Sequence, residues 1–250
     1  MTLLVDIGNT RVKWARADAA GRPGPVQALA HDGRGDWVDT LPTDFDGPVW
    51  FATVADADLA TPLQAWSRDR LGRAAMEVVS TASAAGVQCA YNRPECLGVD
   101  RWLACIGAFH RGPGSVVIVD AGTALTVDMV DATGCHQGGL IVPGMATMRQ
   151  AIHAHTRIRS QPVEPVPDDL ARDTDTAVAA GALHAAVGLI ERVCRRFELD
   201  RRILAGGEAA RLADRLEGDW HLAPDIVLEG LGRVAAESAN SRSSSDGHSR

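Results

Sequence analysis

Two short stretches of this chain place an aspartate where an apolar run ends. The first, LLVDIGNTRVKWAR at residues 3–16, sets Asp6, Gly8, Asn9 and Thr10 directly behind a strand-like segment. The second, VIVDAGTALTVDM at 117–129, sets Asp120, Gly122 and Thr123 in the same relation. Each reads as strand, Asp-x-Gly turn, threonine, strand. A single D-x-G is a common hairpin turn; two, each with an adjacent hydroxyl, point to chemistry. Glycine lets the backbone approach a ligand closely and turn successive N–H groups into a concavity that suits phosphate oxygens. Threonine hydroxyls and the Asn9 amide add donors. The aspartates would repel phosphate unless a cation stood between, and Mg2+ takes one or two carboxylates together with waters and phosphate oxygens. Asp6 thereby has a physical role, holding the metal that rides on a nucleotide's phosphates. Neither G-x-x-x-x-G-K-[ST] nor G-x-G-x-x-G occurs, so neither the Walker nor the Rossmann solution is in use.

A third stretch, YNRPECLGVDRW at 91–102, carries a carboxylate apart from both turns. Asp100 could take the proton of an acceptor hydroxyl late, as a new bond forms. It could equally cap a helix beginning near Trp102, and spacing does not choose between these. Gly98 would keep the loop close to a substrate, and Arg101 offers a fork of donors to a carboxylate or a phosphoryl group. Tyr91 is the chain's only tyrosine; its phenol could bond a ligand, though a half-buried core aromatic is the plainer reading. The five cysteines (Cys89, Cys96, Cys105, Cys135, Cys194) form no C-x-x-C pair, which suits ordinary reduced thiols better than zinc or a disulfide framework. His153 and His155 fall on different faces of a helix, with no partner at ligand spacing.

The elements that must position these residues alternate. Apolar, β-branched runs at Leu3–Val5, Val49–Val54, Glu77–Val79, Val116–Val119, Leu125–Val130, Leu140–Val142 and Ile203–Leu204 predict strands. The clearest helix covers 175–197, with Val178, Leu183, Ala186, Leu189, Ile190 and Val193 at helical spacing and Arg192, Arg195 and Arg196 near its C-terminus. Asp173 and Thr174 are candidate caps for it, and Thr176 sits in its first turn. Its small residues are not confined to one face: Ala177, Val178, Ala179 and Ala180 run together, as do Ala185, Ala186 and Val187. That second face could admit another helix closely, as in a twofold dimer. Further helices are expected over about Trp102–His110 and Gly207–Leu216. This alternation predicts an α/β protein. Residues 157–172, rich in proline and charge, read as a mobile loop, and the serine-rich 237–250 as a disordered tail.

The chain has 250 residues, 46% of them hydrophobic, and a formal net charge of -7. It can bury a core of one large or two small domains. The acidic balance and scattered arginines argue against nonspecific nucleic-acid binding. With no basic leader and no unbroken apolar run of about 18 residues, the expectation is a soluble, cytoplasmic protein without a membrane partner.

Paired phosphate-binding hairpins in a duplicated α/β chain resemble the superfamily of actin, the heat-shock chaperone ATPases and the sugar kinases. The further combination of YNRPECLGVDRW, DAGTALTVD at 120–128, GGLIVPG at 138–144 and LAGGEA at 204–209 resembles the type III pantothenate kinases in order and spacing, from Asp6 to about Leu231. The resemblance implies duplicated ribonuclease H-like (actin-like ATPase) subdomains with a cleft between them, drawn at 1–112 and 113–236, followed by the 237–250 tail. It implies ATP as donor and pantothenate as acceptor, giving 4'-phosphopantothenate, the first step toward coenzyme A. In that reading Asp6, Ile7, Gly8, Asn9, Thr10, Arg11, Val12 and Lys13 of the first hairpin, with Thr123 of the second, cradle the nucleotide. Gly206 and Gly207 leave room for adenosine, while Gly138, Gly139, Pro143 and Gly144 shape a turn. Asp100 is the base, and Tyr91, Gly98, Val99, Asp100, Arg101 and Thr176 meet pantothenate, Thr176 from the partner subunit of a homodimer. Asp6 serves Mg2+, and Asp120 a monovalent cation, K+ or NH4+. The competing expectation is a nucleotide-binding transcriptional accessory protein of the same fold without kinase activity; it could dispense with Asp100, Arg101 and Tyr91.

Overall fold

A computed structural model describes residues 1–31, 33–55 and 57–246. Contacts divide the chain into two units. One comprises Met1–Pro113, Gly134–His136 and the segment from Asp225 onward; the other comprises Gly114–Thr133 and Gln137–Pro224.

The first unit holds β1 (Thr2–Ile7), β2 (Arg11–Ala17), β3 (Gln27–Ala30), β4 (Val49–Thr53), α1 (Thr61–Leu71) and β5 (Met76–Glu77), then the small β6 (Ser83–Ala84) and β7 (Val87–Gln88), and α2 (Val99–Phe109). Its sheet runs β3-β2-β1-β4-β5, with β1 antiparallel to β2 and parallel to β4. The second unit holds β8 (Val116–Ala121), β9 (Ala124–Val130), β10 (His136–Pro143, His136 itself lying with the first unit), α3 (Met145–His155), α4 (Thr174–Arg196), β11 (Arg201–Ala205), α5 (Ala209–Ala213) and β12 (His221–Leu222). Its sheet runs β10-β9-β8-β11-β12, again with the first strand antiparallel to the second and parallel to the fourth. The same strand order twice over is the duplication expected from the two Asp-x-Gly turns.

Alternation along β1 assigns its faces. Leu3, Val5 and Ile7 enter a core with Val12, Trp14, Trp37, Phe51, Leu63 and Trp66. Leu4 and Asp6 face the opposite way. In the second unit, Val117, Val119, Leu125, Val127 and Leu204 pack with Ala179, Leu183, Ala186 and Ile190 of α4. α4 is the one helix among the described residues long and apolar enough to cross a membrane by length and composition. The apolar residues are interrupted by Gly181, His184 and Gly188, so the sequence shows no unbroken apolar run there. Its buried stripe in the unit's core is what a soluble core helix also shows.

The C-terminal segment departs most from expectation. α6 spans Ile226–Asp246, so residues 237–246 are helical where a disordered tail was expected; 247–250 lie outside the described residues. The helix also belongs to the first unit, not to a C-terminal domain ending at 236. Ile226, Leu228 and Leu231 are fully buried and anchor its first turns, and an anchored helix extends without a new nucleation cost, one bond per residue. The Glu237 carboxylate accepts the Ala85 N–H at 2.8 Å, fixing a residue the polar composition had assigned to the tail. α6 crosses α2 at glycines: a Cβ on Gly107 would overlap the Ile226 carbonyl, and one on Gly230 the Leu103 carbonyl.

Candidate active site

Asp6, half-buried between the buried Val5 and Ile7 at the end of β1, stands opposite Lys13 in the β1–β2 register. Lys13 Nζ lies 3.5 Å from Asp225, just ahead of α6. The turn between them is closed by the Gly8 N–H donating to the Arg11 carbonyl at 2.9 Å. Asn9, Thr10 and Arg11 are exposed, whereas the Ile7 and Val12 side chains are wholly buried. Ile7 and Val12 can therefore meet a ligand only through main-chain groups. Asn9 and Thr10 carry side-chain donors in these exposed positions. One neighbour the sequence did not suggest is His31, whose ring meets the Gly8 carbonyl at 2.8 Å.

The second turn is braced more heavily. The Thr123 carbonyl accepts the Gly144 N–H at 2.9 Å and the Thr147 hydroxyl at 2.7 Å. The Ala121 carbonyl accepts the Glu208 N–H at 3.1 Å. Gly206 has a positive φ of 88°, and a Cβ there would overlap the Ala121 carbonyl and approach Asp120 Oδ1. Its missing side chain makes room for the turn itself. Gly207 has open space where its Cβ would be, so of the two glycines it is the one that leaves a ligand room. Gly144 sits under the turn as the cap of α3, a shaping role in line with expectation. Thr147 was missed because its partner is some two dozen residues earlier and no local spacing marks it. Asp120 is half-buried and Thr123 exposed.

Asp100 lies within the first turn of α2, which starts at Val99, three residues earlier than expected. Gly98 occupies the cap position, so Asp100 is not the N-cap, yet its Oδ1 accepts the Arg101 N–H at 2.7 Å. The first turn of a helix suits an ionised carboxylate. A Cβ on Gly98 would come 2.7 Å from that same Oδ1, so glycine here keeps the carboxylate's place clear. Ser80 Oγ holds the preceding Leu97 carbonyl at 2.8 Å. Arg101 is buried, 6% exposed, and donates to the Tyr91 hydroxyl at 3.0 Å, with its guanidinium 5.9 Å from the Tyr91 ring centroid. Tyr91 also stacks on His136, centroids 6.1 Å apart. At least one N–H of the Arg101 fork is thus committed to orienting the phenol. A cavity of about 330 Å3 runs along Thr53–Val54, Glu77–Ser80 and Glu95–Val99, bordering Gly98 and Val99. A larger one, about 680 Å3, lies among Ala19, Ala85, His110 and α6 and touches none of the expected site residues.

Thr176 is half-buried at the start of α4. Asp173 is the cap, its carboxylate accepting the Thr176 N–H at 2.9 Å. That N–H, before the Thr176 hydroxyl, holds the Asp173 carboxyl below the usual carboxylate range. The first unit therefore carries Asp6 to Lys13, Tyr91 and Gly98 to Arg101, and the second Asp120, Thr123 and Thr176.

Two sheets of one strand order, each opening on an Asp-x-Gly turn, define the actin-like ATPase class of fold. Solved structures of low identity bear out that fold. A Campylobacter jejuni protein assigned to the Baf family of transcriptional activators superposes with TM-score 0.64 at 19% identity, over 95% of this chain and 99% of its own. The activator of 2-hydroxyisocaproyl-CoA dehydratase from Clostridium difficile, solved with bound ADPNP, gives 0.55 at 10% identity over 100% and 98%. Within that class the assignment is narrower. The family profile of type III pantothenate kinase matches residues 2–196, and the type III pantothenate kinase of Nitrosococcus oceani is 34% identical over 264 residues, 98% of each chain. The chain belongs to the type III pantothenate kinase family.

Proposed function

We propose that this protein transfers the γ-phosphoryl group of ATP to pantothenate, yielding 4'-phosphopantothenate and ADP at the start of coenzyme A synthesis. The observation that carries the reading is the repetition of the Asp-x-Gly turn at the same place in two sheets of identical order, in a chain of this family. Phosphoryl transfer asks a protein mainly for positioning and for neutralisation of charge. The exposed Asn9, Thr10 and Thr123 donors and the main-chain N–H groups of both turns bind phosphate oxygens. Asp6, a half-buried carboxylate beside those donors, fits a hard, oxygen-seeking Mg2+; when bound, that ion offsets the charge of the phosphates. Asp100 receives the acceptor hydroxyl's proton late in the transfer, and Arg101 fixes Tyr91 so that its phenol meets pantothenate. Asp120, with the Ala121 carbonyl near it, fits a monovalent cation such as K+ or NH4+. Replacing potassium with sodium should lower activity, and Asp120→Asn should abolish that ion dependence; activity indifferent to the ion in the unaltered enzyme overturns this assignment alone. The enzyme works in the cytoplasm as a homodimer in which Thr176 completes the partner's pantothenate site.

The deciding experiment is a coupled assay of purified protein with ATP, Mg2+ and pantothenate. ADP release that depends on pantothenate and matches formation of the phosphorylated product supports the reading. Nucleotide binding without pantothenate-dependent ADP release overturns it in favour of a regulator.

A further inference from the structure

We infer that His31 is a positioning residue for the phosphate-binding turn of the first hairpin, setting the direction of its main-chain N–H groups. The inference rests on the reading of that turn as part of the nucleotide site. His31 follows β3, the exposed edge strand that pairs with β2, and it reaches the turn twice. Its own N–H donates to the Thr10 carbonyl at 3.2 Å, and its ring Nε2 lies 2.8 Å from the Gly8 carbonyl. On the other side of the ring, Nδ1 is 3.2 Å from the Gly33 N–H. A carbonyl can only accept, so Nε2 carries the hydrogen; a main-chain N–H can only donate, so Nδ1 does not. Both partners together select the neutral Nε2–H tautomer.

The consequence for the turn follows from peptide geometry. In a trans peptide the C=O and the N–H of the next residue point in opposite directions. Holding the Gly8 carbonyl toward His31 turns the Asn9 N–H away from it, and holding the Thr10 carbonyl does the same for the Arg11 N–H. Gly8 is where such control is needed, because glycine lets its peptide planes turn at little steric cost. A flipped Gly8–Asn9 plane would aim a carbonyl oxygen where a phosphate oxygen is to sit. The second hairpin reaches the same end by other means, its Thr123 carbonyl being held by Gly144 and Thr147. His31 takes that role in the first hairpin.

Steady-state kinetics of full-length His31→Phe test this. The variant loses the ring donor, and its KM for ATP should rise about 3- to 10-fold, the worth of one oriented hydrogen bond, with the KM for pantothenate within about twofold of wild type. His31→Gln, which keeps an N–H donor at similar reach, should recover most of the loss; a merely structural role would show neither the selectivity nor the recovery. Asp6→Asn is run alongside. If Asp6→Asn weakens ATP use and His31→Phe does not, the inference on His31 fails while the nucleotide reading stands. If neither variant alters the KM for ATP, the nucleotide reading of this hairpin falls. A second measurement covers a variant that does not fold. In wild-type protein with 15N-labelled histidine, ADPNP with Mg2+ should shift the His31 ring resonances of an Nε2–H tautomer, and pantothenate alone should not. An Nδ1–H tautomer, or a ring insensitive to ADPNP, overturns the inference.

Discussion

In the proposed reaction Asp100 serves the helix and the chemistry with one carboxylate: its Oδ1 takes the Arg101 N–H at 2.7 Å, and Gly98 leaves its place open. Asp100→Asn retains an oxygen for that hydrogen bond and loses only the proton acceptor. Turnover should therefore fall about 10²–10⁴-fold with little change in melting temperature or nucleotide affinity; a kcat near wild type removes Asp100 from the base role. Asp173 gives a prediction in pH. Its carboxyl is held below the ordinary value of 3.8 by the Thr176 N–H, so its contribution is present above the unfolded value and is lost as pH falls through the lower folded value. The gap in melting temperature between wild type and Asp173→Ala should be open at neutral pH and narrow below about pH 4. A gap of equal size in strong acid would show that the cap acts without its charge. The side chain is fully exposed, and salt should reduce the effect.

Among the elements, those carrying short-range signals were legible and those held by distant partners were not. Both hairpins follow from D-x-G between apolar runs, and α4 from its period and its Asp173 cap. α1 and α3 were missed: α1 fully buries only Leu63, Trp66 and Ser67, and α3 only Met145. β3 was missed because all four of its residues are exposed, leaving no alternation to read. For the candidate site, local pattern singled out Asp6, Asp100 and Asp120 for the roles proposed above, whereas the contacts of His31 and Thr147 cross gaps that spacing cannot bridge. α6 is the plainest case. Its polar end gave no periodic signal, yet its start is locked to α2 by the paired glycines. Gly230→Val should thus be severe, because the added side chain meets the Leu103 main chain and not a movable group. Overpacking of this kind costs about 1–3 kcal/mol, and more where backbone must shift; urea unfolding reads it directly. Unchanged stability would mean the α2–α6 crossing is looser than its geometry states.

At the scale of the whole molecule, α4 offers the surface on which assembly can be tested. Ala179, Leu183, Ala186 and Ile190 are spent on its own unit's core, while Ala177, Gly181, Ala185 and Gly188 form an exposed stripe one turn apart. A Cβ at Gly181 or Gly188 would meet nothing within 4 Å, so a large residue there leaves the isolated chain intact. Small residues at this spacing let two helices approach closely, and a self-complementary face closes into a twofold pair. Gly181→Arg should accordingly keep the circular-dichroism spectrum and melting profile of a folded protein but sediment as a monomer, with activity lost in step. Thr176 begins the same helix, which yields a sharper demand. In Asp100→Asn mixed with Thr176→Arg, each inactive alone, every heterodimer would hold one site with both residues intact. Random exchange of subunits should then restore about a quarter of wild-type activity. An active Gly181→Arg monomer sinks the interface. A dimer that shows no recovery on mixing keeps the interface and removes Thr176 from the partner's site.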